Sequence, residues 1–450
     1  MTIKKTWLII IVLVLELIMV TGINFISPWV TLMGSLSLGM LILMFKINKS
    51  DTPRVLFVAL IPFLVCFNII QKMGSMLIVG GMIGLYLLFY LVDNKYRGVR
   101  LGKSGVFFIV WMLYALLQTT WTITTEKTWL YINVLTLGII IVFLMSKMIT
   151  TIQWIELLYK WWGIALLGTI LFGLWEVNTN NHLSSSGANP EYYNLQNVAT
   201  VGFFNPNDYG FFLIISLPII LYWIKKKFLY KVLGLFMLGS SFYIVFQNGA
   251  RFIILLYFLV IILYLLSLIK SKRNFSILLF FTFGGVSVSF LFVDMFVKSF
   301  SDVVSLASTD SSSSIRKMLF ENGWILFTNN PLGVGSGNIE YYLKQNSLIV
   351  HGIPSLHNFW LEFLVTYGIL IFIGFLTFYI ASLIRMYKAL KMKSLNFNSS
   401  IKPLFWSSLL FIPASLESST IFTFNIIWFL FGILLCMGNI IKKEMKPQLY

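Results

Sequence analysis

Charge is scarce in this chain of 450 residues: only 11% are Asp, Glu, Lys or Arg, against about a quarter in water-soluble domains. Acidic residues are the scarcer kind, 16 against 33 Lys and Arg, and histidine occurs three times. With 58% hydrophobic residues and a mean hydropathy of +0.87, this composition excludes a soluble domain with a charged surface. Cysteine is nearly absent. Cys66 and Cys436 lie in apolar runs with no Cys-x-x-Cys or Cys/His grouping, which excludes a disulfide framework and a structural zinc site. Strict apolar/polar alternation is also lacking, so a closed β-barrel is excluded. The apolar run at residues 7–20 follows Lys4 and Lys5 like a signal peptide. No Ala-x-Ala type cleavage site follows it, and it is expected to remain as a first helix.

What the sequence has instead is long apolar runs, many near the length a helix needs to cross about 30 Å of hydrocarbon. Polar breaks divide them into spans at about 7–21, 29–45, 55–70, 74–92, 106–121, 129–146, 159–176, 209–224, 232–247, 252–269, 275–293, 358–384, 404–416 and 421–441. The expectation is an all-α polytopic membrane protein with about 12–14 transmembrane helices, residues 1–450 forming a single integral membrane domain. The last two spans are the shortest-founded of the set.

The net charge of +17 raises nucleic acid as a partner, and the placement of the charge answers it. With a cytoplasmic N-terminus, 26 of the 33 Lys and Arg fall on the cytoplasmic side, including Lys225, Lys226, Lys227, Lys270, Lys272 and Arg273. This is the positive-inside pattern. It predicts a multi-pass protein of the cytoplasmic membrane with both termini cytoplasmic, anionic lipid headgroups as partners of the basic loops, and no nucleic-acid partner. Seven cations are left outside or at outer helix ends: Lys72, Lys127, Arg251, Lys298, Arg316, Lys317 and Lys344.

Two outward loops hold most of the polar sequence. Residues 177–208 contain no Lys or Arg and are rich in Asn, Ser and Gly. Residues 294–357 form the large extracytoplasmic loop and are expected to carry part of the active site. In that loop a helix is predicted over about 315–327 behind a serine tract that offers an N-cap, then a glycine- and proline-rich turn, then a short helix over about 338–345. Gly333-x-Gly335-x-Gly337 follows a turn, not a strand, and is not read as a dinucleotide fingerprint.

Arg251 opens a helix behind Asn248, Gly249 and Ala250. A guanidinium beside the free N–H groups of a helix N-terminus makes an anion site, although an arginine snorkelling from a helix end would look alike. Arg316 is expected in the first turn of the loop helix, the end that disfavours cations, and an anionic ligand would offset that mismatch. His357 stands at the mouth of a helix bearing Glu362, and an imidazole there can serve as a general base for a hydroxyl. A structural histidine is the competing reading, and His182 and His351 are read as structural. Asn205, Asn207, Asn358 and Glu362 are candidate binders of sugar hydroxyls, and Asp208 is read as a helix cap. Glu16, in the first span, points to ion coupling.

The order Phe204-Asn205-Pro206-Asn207, Gly249-Ala250-Arg251, Arg316, Asn330-Pro331-Leu332-Gly333-Val334-Gly335-Ser336-Gly337 and His357-Asn358-Phe359-Trp360-Leu361-Glu362 resembles the O-antigen ligase and O-antigen polymerase (Wzy) superfamily. The resemblance covers about residues 200–380 in motif and the remainder in topology. It implies a metal-independent glycosyltransferase that needs no cofactor and uses undecaprenyl-diphosphate-linked oligosaccharides as donor and acceptor outside the cytoplasm. It also implies Arg251 and Arg316 as diphosphate binders and His357 as the catalytic base. Chain-length regulators and flippase proteins are the expected protein partners. A polymerase is the leading expectation, favoured by a composition rich in Lys, Ile, Phe and Asn. A ligase passing the glycan to another acceptor, and a transporter or flippase for lipid-linked oligosaccharide, are the alternatives.

Overall fold

The computed structural model describes residues 52–66, 103–183, 186–188, 194–268, 311–346, 348–349, 355–391, 395–416 and 424–445. The predicted spans at 7–21, 29–45, 74–92 and 275–293, with Glu16 and His351, lie outside the described residues, as does the loop before residue 311. The described chain is all-helical. Its helices are α1 (Thr52–Cys66), α2 (Lys103–Gln118), α3 (Thr125–Met148), α4 (Ile152–Thr179), α5 (Pro206–Ile224), α6 (Phe228–Gln247), α7 (Arg251–Leu268), α8 (Ser311–Asn329), α9 (Ile339–Gln345), α10 (Phe359–Leu390), α11 (Leu395–Ala414) and α12 (Asn425–Met445).

Among the described residues six helices, α3, α4, α5, α6, α10 and α12, are long and apolar enough to cross a membrane, and α2 and α7 contain shorter apolar stretches. Of the two spans of least secure length, the last is one of those six. The other belongs to α11, which carries Pro403 and Pro413 within its length.

Packing runs through a few dominant pairs: α12 on α3, α1 on α4, and α5 against both α6 and α11. The centre is aromatic. Trp111 of α2 lies 4.9 Å from Phe363 of α10 and 5.6 Å from Trp428 of α12, ring centre to ring centre. Phe375 of α10 stacks on Phe363 at 4.7 Å. Such rings supply large buried area with preferred edge and offset contacts, the kind of packing that holds helices together where lipid removes most of the hydrophobic driving force.

The connections place the starts of α3, α5, α7, α10 and α12 and the ends of α2, α4, α6 and α11 at one end of the bundle, here the loop end. The opposite end carries Lys225, Lys226, Lys227 and Lys391 in its turns. Helices α8 and α9 belong to the loop end. Leu326 of α8 and Leu343 of α9 bury with Leu356, Leu361 and Val365 in a small second core on α10.

One departure from regularity organises the loop end. Helix α10 is broken at Gly368, whose φ of 73° and ψ of 176° are not helical. The carbonyls released by a break need other donors, since nothing in hydrocarbon can supply them. The segment 331–335 supplies them. Val334 N–H donates to Val365 O at 2.9 Å, Gly335 N–H to Thr366 O at 3.0 Å, and Ile369 N–H turns to Pro331 O at 3.0 Å. A methyl on Gly368 would run into the Leu332 backbone, and one on Gly335 (φ 84°) into the Thr122 side chain. The glycines of this motif thus admit close backbone contact at left-handed φ. Gln118, fully buried at the end of α2, donates to Thr366 O at 2.9 Å and to Leu332 O at 3.2 Å. Asn338 closes the seam: its oxygen accepts from Thr124 N–H at 2.9 Å, and its amide donates to Thr128 Oγ1 at 2.8 Å and Ser336 O at 2.9 Å.

Candidate active site

The start of α10 is fixed from three directions. Asn358 is the N-cap, its side-chain oxygen accepting Leu361 N–H at 3.1 Å, the bond that satisfies an otherwise orphaned donor. Glu362, 4% exposed, accepts the N–H of Leu356 at 3.2 Å. Phe359 N–H donates to Ser415 O at 3.0 Å, tying the helix start to the end of α11. Between these bonds His357 sits half-buried at a left-handed φ of 48°. That region is uncommon for a residue with a side chain and persists where the surroundings hold it.

Burial lowers the His357 pKa below the ordinary 6.5, and the nearby positive charge of Arg316 lowers it further. The structure therefore brings these two predicted residues together. The reason is the seating of α8 on α10. Gly323 lies against Leu361 and Leu356, with Leu319 and Leu326 buried on either side of it. Helix α8 begins at Ser311 rather than at about 315. Arg316 is consequently in the second turn, not the first, and the argument from an unfavourable helix end loses its force. Its guanidinium is exposed, on the same helix face as Phe320 and Trp324 one and two turns on.

Arg251 lies at the first residue of α7, also exposed. Helix α5 starts beside it: Gly210 faces Ala250 and Ile253 across the contact. Asn205 caps α5, accepting Asn207 N–H at 2.8 Å, with Pro206 in the first turn, a position that suits proline. The expected cap, Asp208, is instead a buried residue of the first turn. Its carboxyl group is within electrostatic reach of Glu362. Tyr131 of α3 lies within reach of Glu362 and Glu340.

The side-chain oxygens of Asn205 and Asn358 are thus engaged in caps, and Glu362 holds the turn that presents His357. Asn207 is half-buried beside them. Among the remaining cations of the loop end, Lys127 and Lys344 clasp Glu340 at 2.7 and 2.6 Å, and Lys317 pairs with Glu321 at 3.9 Å. Lys72 and Lys298 lie outside the described residues. Among the described residues no group of three or more His, Cys, Asp or Glu is placed to hold a metal ion.

Sequence reasoning gave no role to the side chains of Gln118, Glu176, Asn248 and Asn338, which find partners distant in the chain. It also read His182 as an ordinary structural residue. Its side chain is buried with its Nδ1 3.8 Å from a carboxylate oxygen of Glu176.

Two comparisons with known proteins bear on the family of this chain. Residues 236–376 match the family model described as O-antigen ligase, a stretch running from α6 into α10 that contains Arg251, Arg316, His357, Asn358 and Glu362. The teichuronic acid biosynthesis protein TuaE of Bacillus subtilis (strain 168) is 24% identical over 389 residues, covering 82% of this chain and 79% of the relative. Both comparisons support one family, the O-antigen ligase and O-antigen polymerase superfamily, whose members are membrane proteins of polysaccharide biosynthesis.

Proposed function

We propose that the chain is a polysaccharide polymerase of the cytoplasmic membrane that transfers a growing glycan from undecaprenyl diphosphate to the next lipid-linked repeat unit outside the cytoplasm. The observation that carries this reading is His357. It is half-buried at the mouth of α10, held below its ordinary pKa by burial and by Arg316, and so neutral at pH 7 beside a cation. Neutral imidazole is the form that accepts a proton.

In the proposed reaction His357 takes the proton of the acceptor sugar hydroxyl. That oxygen attacks the anomeric carbon of the donor glycan, the carbon–oxygen bond to the diphosphate breaks, and undecaprenyl diphosphate leaves with inversion. Arg316 and Arg251 bind the diphosphate, and their attraction grows as charge develops on the leaving group, which favours the transition state over the ground state. Sidedness rests on the positive-inside count, which puts the loop end outside. TuaE, named for teichuronic acid biosynthesis, supports a role in cell-envelope polysaccharide synthesis.

A transporter would carry its ionisable groups along a path through the bundle. The carboxylates buried among the described residues, Glu176, Asp208 and Glu362, lie at the loop end instead. A ligase would use the same groups with a different acceptor. Purified protein given undecaprenyl-diphosphate oligosaccharide in EDTA is expected to yield longer lipid-linked glycans and free undecaprenyl diphosphate. Strict need for an added divalent metal would sink the mechanism. Turnover only when a second, non-identical acceptor is added would make the protein a ligase.

A further inference from the structure

The segment leading into α5 is clamped at three consecutive residues by side chains at the ends of α4 and α6. Glu176, near the end of α4, is fully buried, and its Oε2 accepts the N–H groups of both Thr200 and Val201 at 2.7 Å. Asn248, at the end of α6, grips the preceding residue from the other side. Its Oδ1 accepts Ala199 N–H at 2.8 Å, and its Nδ2 donates to Ala199 O at 2.9 Å and Pro206 O at 3.1 Å.

Val201 between these grips has a φ of 53°. A β-branched residue is a genuine outlier there, held only where the surroundings over-determine it. Two hydrogen bonds donated by adjacent N–H groups to one buried carboxyl oxygen do so. Asn180, which ends α4, adds a bond from Asn197 N–H at 2.6 Å.

Asn248 is also the residue from which the α6–α7 turn departs. Gly249 follows at φ 63°, Arg251 N–H bonds back to Gly249 O at 2.9 Å, and α7 begins. The side chain that grips Ala199 thus belongs to the turn that presents Arg251. We infer that Glu176 is a positioning residue for Arg251, acting through the clamped segment 199–201 and Asn248 to fix where the guanidinium meets a diphosphate.

The second oxygen of Glu176 faces His182 and has no hydrogen-bond partner, and neither His182 nitrogen has one. The hydrogen bonds that Glu176 accepts therefore come from the backbone of residues 200 and 201.

The inference rests on the reading of Arg251 as a diphosphate ligand, and the test separates the two. Binding of undecaprenyl diphosphate and of undecaprenyl monophosphate to the detergent-purified full chain is measured for each variant. Arg251→Ala is expected to weaken diphosphate binding tenfold or more, with a smaller effect on the monophosphate. Glu176→Ala is expected to weaken it about tenfold. Glu176→Gln, which keeps the shape and an acceptor oxygen, is expected to return to within about threefold of the parent. In an Arg251→Ala background, Glu176→Ala is expected to add less than about twofold.

Loss by the same factor in that background, or unchanged affinity in folded Glu176→Ala, would overturn the positioning role. Unchanged affinity in Arg251→Ala would overturn the ligand reading and the inference with it. If Glu176→Ala does not fold, Asn248→Ala cuts the same strut from the other side. It is expected to give the same loss, and a folded Asn248→Ala protein with parental affinity also overturns the proposal.

Discussion

The two ends of the bundle are built by different rules. At the basic end no described residue takes a positive φ: the residues closing α5 and α10, Lys225 and Lys391, have φ of −84° and −80°. At the loop end lie Asn180, Asn194, Asn197, Val201 and His357, all at positive φ, with Gly249, Gly333, Gly335 and Gly337. The three buried carboxylates are there too. Left-handed backbone and desolvated charge both cost free energy. Specific side-chain to backbone bonds offset part of that cost: Glu176 accepts from residues 200 and 201, Glu362 accepts from 356, and Asn338 donates to 336. The basic end needs only to turn the chain, whereas a site must hold its groups in one arrangement while exposed to water.

The widest gap between the ends should appear in catalysis. His357→Ala is expected to cut glycan elongation by about 10²–10⁴-fold with membrane insertion unchanged, read by product length in proteoliposomes. Lys225→Ala at the basic end is expected to leave the rate near parental. A His357→Ala enzyme of near-normal rate would remove that residue as the base.

Stability should separate next. Gly368→Ala and Gly335→Ala each force a side chain onto a left-handed backbone and into a neighbour, and are expected to cost about 1–3 kcal/mol in detergent unfolding. Gly239→Ala in α6, where an added methyl meets nothing within 4 Å, is expected to stay within about 0.5 kcal/mol. Equal effects would dissolve the contrast.

A smaller effect is expected in titration. The folded pKa of His357 is depressed below 6.5, so its contribution to stability is full above 6.5 and is lost as pH falls through the folded value. Arg316→Gln removes the second cause and leaves burial, the first. Histidine NMR should show the His357 pKa rising in that variant while remaining below 6.5. No rise would separate the two residues.

The smallest effect belongs to Glu340, which is lowered by hydrogen bonds from Lys127 and Lys344. Its contribution is present above 4.5 and fades as pH falls through the folded value. Glu340→Gln is expected to cost less than about 1 kcal/mol, less again in high salt.

The helices were legible because apolar length is a local property. The run at 209–224 becomes Pro206–Ile224, and that at 232–247 becomes Phe228–Gln247. Arg316 and His357 were legible as chemistry, and the seating of α8 on α10 brings them together. What escaped was everything that depends on partners far along the chain. Gln118 reads as the polar end of a span until Leu332 and Thr366 are folded against it. Gly368 reads as one more small residue within an apolar run, because the break it makes is intelligible only with the segment that fills it. Asp208 follows the cap pattern equally well one turn from Asn205, and the proline after Asn205 fixes which of the two begins the helix.

The break at Gly368 changes what the large loop is. Residues 359–367, which carry the mouth of the site, continue by hydrogen bonds into 331–335 as much as into the rest of α10. The segment 331–335 is accordingly a wall of the membrane bundle and not a cover laid over it. Shortening it between residues 331 and 338 would leave severed carbonyls in the bundle, so loop exchange between relatives should graft only when the outer piece of α10 travels with it.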